Sequence, residues 1–135
     1  SVKDDDKKNL IIQAAVILIN LNFEIIATSG TASFLNQNEV KATRINKVFE
    51  GRPNIADLLK DDKINLVFNT TEGSQSIEDS KEIRAISLKK KIPYFTTGAG
   101  CNAAARATEA ERNEETNVYK LQDIIKYDKK VFSVQ

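Results

Sequence analysis

Three short stretches of this sequence gather hydroxyls, amides and glycines as phosphate-holding loops do: Thr28-Ser29-Gly30-Thr31, Asn69-Thr70-Thr71-Glu72-Gly73 and Thr96-Thr97-Gly98-Ala99-Gly100. Hydroxyls and unpaired backbone N–H groups at a helix start suit an anion, and glycine lets the backbone approach it closely. Each stretch alone also reads as ordinary helix capping, for which Ser, Thr, Asn and Gly are the usual residues. Their coincidence points to a phosphate-sized guest. Lys7 and Lys47 are placed to neutralise its charge, although a single lysine is more often a solvated surface residue.

Other candidates for chemistry carry less. Glu78 and Asp79 are adjacent carboxylates at a helix start, where they read as dipole partners before they read as a catalytic pair. Asp79 is alternatively a contact for a ribose hydroxyl. Cys101 follows Gly100 at a predicted helix N-terminus, where a thiol pKa is lowered; with no histidine to act as its base, it reads as a packed, inert cysteine. The complete absence of histidine removes Ser-His and Cys-His nucleophile pairs and the commonest transition-metal ligand together. One cysteine cannot supply a zinc site, and carboxylate-held Mg²⁺ stays open. Tyr94 falls on a predicted strand, and its hydroxyl needs a partner if the ring is buried.

Alternating strands and helices must position these groups. Apolar residues Leu10, Ile11, Ala14, Ala15, Leu18 and Leu21 recur at helical spacing, with Asp4, Asp5 and Asp6 as dipole partners at the helix start and Lys7 in its first turn. A strand over Phe23–Ala27 leads through Thr28–Thr31 to a short helix over Ala32–Leu35. A second strand covers Val40–Ile45, and the turn Glu50-Gly51-Arg52-Pro53 leads to a helix over Ile55–Leu59. Then come a strand at Ile64–Phe68, a helix at Ile77–Lys89 with Ile83, Ile86 and Leu88 inward, a strand at Ile92–Phe95 and an Ala-rich helix at Asn102–Ala110. Beyond Arg112 the pattern weakens to a helix within Val118–Ile125 and an edge strand at Val131–Val134. The alternation predicts an α/β fold, a three-layer open mostly parallel sheet with helices on both faces. Ligands gather at the carboxyl ends of such strands.

The length of 135 residues suits a single domain, and no low-complexity linker divides it. With 20 Lys and Arg against 19 Asp and Glu, no global field attracts nucleic acid or an anionic membrane. The apolar run Ala14–Leu21 is broken by Asn20 and falls far short of the ~20 residues that span a membrane. No leader pattern is visible and the lone cysteine makes no internal disulfide, so a reducing cytoplasm is expected. A start at Ser1 with no methionine anywhere predicts a fragment of a longer polypeptide.

Taken together, Ser1-Val2 with Lys7, Phe23-Glu24 through Ala27-Thr28-Ser29-Gly30-Thr31, Asn46-Lys47-Val48-Phe49-Glu50-Gly51-Arg52-Pro53, Asn69-Thr70-Thr71 and Ile77-Glu78-Asp79-Ser80 form a recognisable series. In order and spacing it resembles the methylglyoxal synthase-like allosteric domain that ends the carbamoyl phosphate synthetase large subunit. The likeness covers roughly Ser1–Ala105, and Lys47-Val48-Phe49-Glu50-Gly51-Arg52-Pro53 is its most specific element.

That resemblance implies a regulatory module with no catalytic role of its own. Its effector would be a nucleoside monophosphate, UMP as inhibitor or IMP as activator, with Lys7, Thr28, Thr31 and Lys47 on the phosphate. Ser1, Ser29, Gly30, Asn69, Thr70 and Thr71 would line the pocket, and Asp79 would hold the ribose. Tyr94 and Thr96 would form one side of an ornithine site at a domain border. No cofactor is implied, and the partners would be the remaining synthetase domains and the glutaminase small subunit.

The sequence departs from the family in having Ser74 and Gln75 where relatives often carry a basic residue. It also begins where the family's first strand is ending, so a central strand is expected outside the 135 residues, and the tail beyond Arg112 has no clear counterpart. Methylglyoxal synthase itself, a lyase acting on dihydroxyacetone phosphate, needs a Gly-Gly-Asp loop and a histidine; here the loop reads Glu50-Gly51-Arg52-Pro53 and no histidine exists. The inosine monophosphate cyclohydrolase domain is a lesser rival, lacking a match to its His-containing segment. A ligand-free interaction domain of the same fold is the alternative of another class.

Overall fold

The computed structural model describes residues 1–70, 74–113, 118 and 120–122, without the side chains of 74–76 and 79. A 3₁₀ turn at Asp4–Asp6 precedes α1 (Asn9–Asn20), β1 (Ile26–Thr28), α2 (Ser29–Gln37) and β2 (Thr43–Ile45). A second 3₁₀ turn at Val48–Glu50 leads to α3 (Ile55–Lys60), β3 (Val67–Phe68), α4 (Ser74–Lys89), β4 (Tyr94–Phe95) and α5 (Gly98–Asn113). No helix among the described residues is long and apolar enough to cross a membrane.

The strand–helix alternation does build an α/β fold with parallel strands. Ile26 to Thr28 pair in register with Thr43 to Ile45, and Val67 and Phe68 with Tyr94 and Phe95. Side chains alternate across these strands, and the packing follows the alternation. Phe68 and Phe95 pack toward Ile11 and Ala15 of α1, Leu35 of α2 and Cys101 of α5. Val67 and Tyr94 pack on the opposite side with Leu59 of α3 and Ile83 of α4. Helices therefore cover both faces. Leu59 has no exposed surface, and burying one such leucine contributes roughly 1.5–3 kcal/mol.

The parallel strands form two pairs, β1–β2 and β3–β4. Between β1 and β3 lies a cleft of about 710 Å³, walled by Glu24 to Thr28 on one side and Ile64 to Asn69 on the other.

Several boundaries differ from the sequence reading. The helix after β1 begins at Ser29, so Thr28 is its N-cap and Gly30 and Thr31 lie in its first turn, not in a preceding loop. Asp4 to Asp6 do not start α1; they form their own 3₁₀ turn, and extended backbone at Lys8 (φ −130°, ψ 177°) separates the two. Lys7 consequently closes that turn, its N–H bonded to the Asp4 carbonyl at 3.1 Å, and lies outside the first turn of α1. Leu88 is 79% exposed, not inward; the inner side of α4 is formed by Ile83, Ile86 and Ser87, and a residue two positions from Ile86 projects to the far side. The third predicted loop is mostly helical, because α5 starts at Gly98 with Thr97 Oγ1 accepting the Gly100 N–H at 3.0 Å. The strand expected at Val131–Val134 lies outside the described residues, as does half of the helix expected within Val118–Ile125.

Four helix exits use a non-glycine residue in the left-handed region: Asn22, Glu39, Asp62 and Lys91, with φ of 65°, 62°, 57° and 57°. Near the last turn of α5, the Arg112 guanidinium donates to the Leu21 carbonyl at 2.6 Å and lies 5.7 Å over the Phe23 ring, fastening α5 to the end of α1.

Candidate anion-binding site

At the carboxyl ends of β1 and β3, three threonine hydroxyls hold the start of the chain. Thr31, buried in the first turn of α2, accepts the Val2 N–H on Oγ1 at 2.9 Å. Thr70 Oγ1 accepts the Lys3 N–H at 3.0 Å, and Thr28 Oγ1 donates to Ser1 Oγ at 3.2 Å. Val2 then packs its side chain into the core beside Ile11 and Leu35. These anchors fix where Lys7 falls.

The result is a cavity of about 390 Å³ bounded by Lys7, Thr28, Gly30, Thr31, Lys47 and Thr70, with Ser1 to Asp4 along one side. Thr28 gives α2 no side-chain cap, because its hydroxyl is engaged with Ser1. The first-turn N–H groups of α2 are thereby left for a guest, at the positive end of the helix dipole. Gly30 brings one ammonium in: a Cβ there would stand 3.1 Å from Lys7 Nζ. Lys47 enters from the turn after β2, where Glu50 Oε2 accepts its backbone N–H at 2.9 Å and its Nζ lies 5.8 Å from the Phe49 ring centroid.

The electrostatics favour an anion but also show a competitor. Lys7 Nζ pairs with Asp4 Oδ1 at 2.6 Å, with Lys7 largely covered and Asp4 almost fully exposed. The hydrogen bond, and then the charge, of Lys7 hold the Asp4 carboxyl below its usual range. Among the described residues, Asp4 is the one carboxylate on the cavity wall. Ser1 as a residue is exposed, yet its amino group is enclosed by protein at the Phe68 carbonyl, 3.0 Å away. Desolvation foremost, with Lys47 adding to it and Cys101 opposing, brings its pKa down from 8.0 to about 6.

The remaining sequence candidates fall into different places. Ser29 is half-exposed and does not line the cavity. Asn69 is buried and faces the larger cleft, its Nδ2 donating to Ser80 Oγ at 2.9 Å and to Tyr94 Oη at 2.6 Å. Tyr94 thus turns its hydroxyl toward Asn69 while Arg84 lies 5.5 Å over its ring; Thr96, just past β4, is exposed. Thr71 and the Asp79 side chain lie outside the described residues. Cys101 is fully buried, and desolvation pushes its thiol up to about 11. Glu78 is paired with Lys81 at 2.7 Å on the surface. Val2, Lys3 and Asp4 were missed by sequence reasoning as wall residues; two of them contribute backbone groups, which residue type does not advertise.

Parallel strands with helices on both faces, and a cavity at the strand ends lined by Lys3, Lys7 and Lys47, define an α/β domain with an open cationic cradle. The chain belongs to the MGS-like domain family, whose model matches residues 10–96. The carbamoyl phosphate synthase large chain of Rhizobium meliloti (strain 1021) is 44% identical over 122 residues, covering 90% of this chain and 10% of that one. That of Pseudomonas syringae pv. tomato (strain ATCC BAA-871 / DC3000) is 47% identical over 124 residues, 92% of this chain and 11% of the relative. The Halomonas eurihalina protein of the same description is 49% identical over 109 residues, 81% and 10% respectively. The chain thus spans about a tenth of the length of these relatives.

Proposed function

We propose that this chain is the regulatory domain of a carbamoyl phosphate synthase large chain and that its cradle holds the phosphate of a nucleoside monophosphate, UMP or IMP. The observation that carries this reading is the convergence of Lys7, Lys47, Thr28 and Thr31 on one cavity at the uncapped start of α2. Two ammonium groups and a helix N-terminus suit a dianion. Thr70 stands on the wall of the same cavity; the resemblance would assign Asn69, Thr71 and Asp79 to the nucleoside, and Tyr94 and Thr96 to an ornithine site shared with a neighbouring domain.

In this reading the domain has no reaction of its own. With no histidine in the chain and Glu50-Gly51-Arg52-Pro53 in place of an acidic catalytic loop, the lyase alternative lacks its acid–base groups. The domain works by binding effector unequally in two states of the whole synthetase, with coupling typically ~1–3 kcal/mol. Its partners are then the other large-chain domains and the glutaminase subunit, in the cytoplasm. The outcome is control of carbamoyl phosphate supply for pyrimidine and arginine synthesis.

Titration calorimetry with UMP, IMP and inorganic phosphate tests the reading. Saturable binding in the micromolar class is expected for a nucleotide, with Lys47→Ala weakening it by about tenfold, or ~1.4 kcal/mol. Equal affinity in Lys47→Ala and parent overturns the phosphate site. Absence of any thermal shift with all three ligands favours an interaction domain, since a ligand at 100 times its Kd adds ~2.7 kcal/mol. Methylglyoxal formation from dihydroxyacetone phosphate would restore the lyase reading.

A further inference from the structure

The anion cradle carries one cation more than the loop motifs and the family resemblance assign to it. Its wall holds Lys3, Lys7 and Lys47 against a single carboxylate, Asp4, among the described residues. Lys7 is answered by Asp4 at 2.6 Å. Neither Lys3 nor Lys47 takes part in an ion pair among the described residues. Glu50, in the same turn as Lys47, accepts the Lys47 backbone N–H at 2.9 Å, and the Lys47 ammonium lies over the Phe49 ring. A ring face attracts a cation without cancelling its charge. The wall ammonium groups without a counter-charge are therefore Lys3 and Lys47.

Backbone bonds put Lys3 in this place. The chain is extended at Lys3 (φ −66°, ψ 158°), so its side chain turns away from that of Val2. Val2, with its N–H on Thr31 Oγ1, fills the core beside Ile11 and Leu35. Lys3, with its N–H on Thr70 Oγ1 at 3.0 Å, is left half-buried at the carboxyl end of β3. Lys7 stands against Gly30 in the first turn of α2, and Lys47 follows β2. A guest among them meets positive charge from three different elements. With Asp4 kept on Lys7, three lysines and one aspartate leave the wall at +2. A doubly ionised phosphate monoester cancels that charge, whereas a phosphodiester or a carboxylate, with one charge, leaves an ammonium unanswered. The Ser1 amino group, with its pKa brought down to about 6, is neutral at pH 8 and stays out of this balance.

We infer that Lys3 is a third phosphate-binding residue of the cradle, and that with Lys47 it sets a preference for a doubly charged phosphate monoester over singly charged anions. The inference rests on the proposed phosphate site and adds to it the group that reads the guest's charge. Lys3 suits that role because its backbone is anchored at Thr70, so that only the side chain has to order when a guest arrives. An ammonium on a flexible stem serves an anion as a point charge and needs no fixed fork geometry. Coulomb energy scales with the product of the charges, so each wall ammonium acts twice as strongly on a dianion as on a monoanion in the same place. Loss of Lys3 must therefore weaken the monoester more than an ester with one charge fewer.

The test is calorimetry at pH 8 with UMP and with its 5′-methyl phosphate ester, the ester being measured in competition with UMP where its own heat is small. Lys3→Ala and Lys3→Gln are expected to weaken UMP by about five- to tenfold. The methyl ester should weaken by only about two- to threefold, the same loss halved on a logarithmic scale. Lys3→Arg keeps the charge and should stay within about twofold of the parent. Thermal midpoints should not move, because the anchor to Thr70 is a backbone bond. Lys8→Ala removes an equal charge from an exposed lysine off the cavity wall and should change neither affinity. Unchanged UMP affinity in both neutral Lys3 variants overturns the inference, and a loss in Lys47→Ala alongside it leaves the phosphate site standing. Equal losses in Lys3→Ala and Lys8→Ala assign the effect to the overall charge of the segment and overturn the contact. Equal losses of UMP and its methyl ester overturn the charge preference. If UMP binds no form, the phosphate reading fails and the role of Lys3 with it.

Discussion

Gly30 and Lys7 are in contact: a Cβ on Gly30 would lie 3.1 Å from the Lys7 Nζ. The neighbour is the far end of a flexible side chain, so Gly30→Ala should move Lys7 without disturbing the fold. Alanine is also the better helix former, by up to about 1 kcal/mol. The variant is expected to keep or raise its thermal midpoint while binding phosphate several-fold more weakly. Denaturation and calorimetry on the same sample check both halves.

Asp4 competes with any anion for Lys7, from 2.6 Å away. Asp4→Asn should tighten phosphate binding by a few-fold and leave the denaturation midpoint unchanged, since exposed ion pairs contribute little. Weaker binding would mean that Asp4 orients Lys7 and does not occupy it.

Thr31 Oγ1 accepts the Val2 N–H in a buried setting at 2.9 Å. Thr31→Val preserves shape and removes the acceptor, leaving a donor unpaired at a cost of roughly 1–3 kcal/mol. Chemical denaturation should show that loss, and Thr31→Ser should recover most of it.

Stability should rise with pH and then fall. The enclosed Ser1 amino group gives up its proton near pH 6, whereas the unfolded chain holds its own to about 8. The unfolded state therefore binds more protons between these values, and stability climbs across that window. The Cys101 thiol behaves oppositely: folded it keeps its proton to about 11, against 9.0 when unfolded, so stability declines from 9 upward. Denaturation midpoints across pH 5–11 should peak near 8–9, and Cys101→Ala should flatten the alkaline side.

Glu39 and Lys91 hold left-handed backbone with φ of 62° and 57°. An L side chain costs roughly 1–2 kcal/mol there and glycine does not. Allowing for glycine's greater freedom when unfolded, Glu39→Gly and Lys91→Gly should each stabilise by up to about 1 kcal/mol, measurable by urea denaturation.

The helices and the existence of the strands were legible because their apolar spacing is local, as in Ile11, Ala14, Ala15 and Leu18 of α1. The strand lengths were not: β1 starts at Ile26, although the apolar run begins at Phe23, because Phe23 packs into the core without pairing and Ile25 lends its carbonyl to Thr43 at the strand's edge. Residue type and loop position singled out Lys7, Lys47 and the threonines. What was hidden is who holds whom. Thr28 looks like a cap and serves Ser1, while Asp4 looks like a dipole partner and serves Lys7. These pairings are set by chain entry geometry, which no periodicity records. The pairing of the strands is a relation between distant edges and is likewise invisible to local pattern.

Arg112 clasps the end of α1 from well beyond position 96, where the match to the family model stops, and Lys7 lies ahead of position 10, where it starts. The family model thus outlines a smaller object than the one that holds together. A polypeptide trimmed to those limits would lose a wall of its cradle and the rivet between two helices at a stroke.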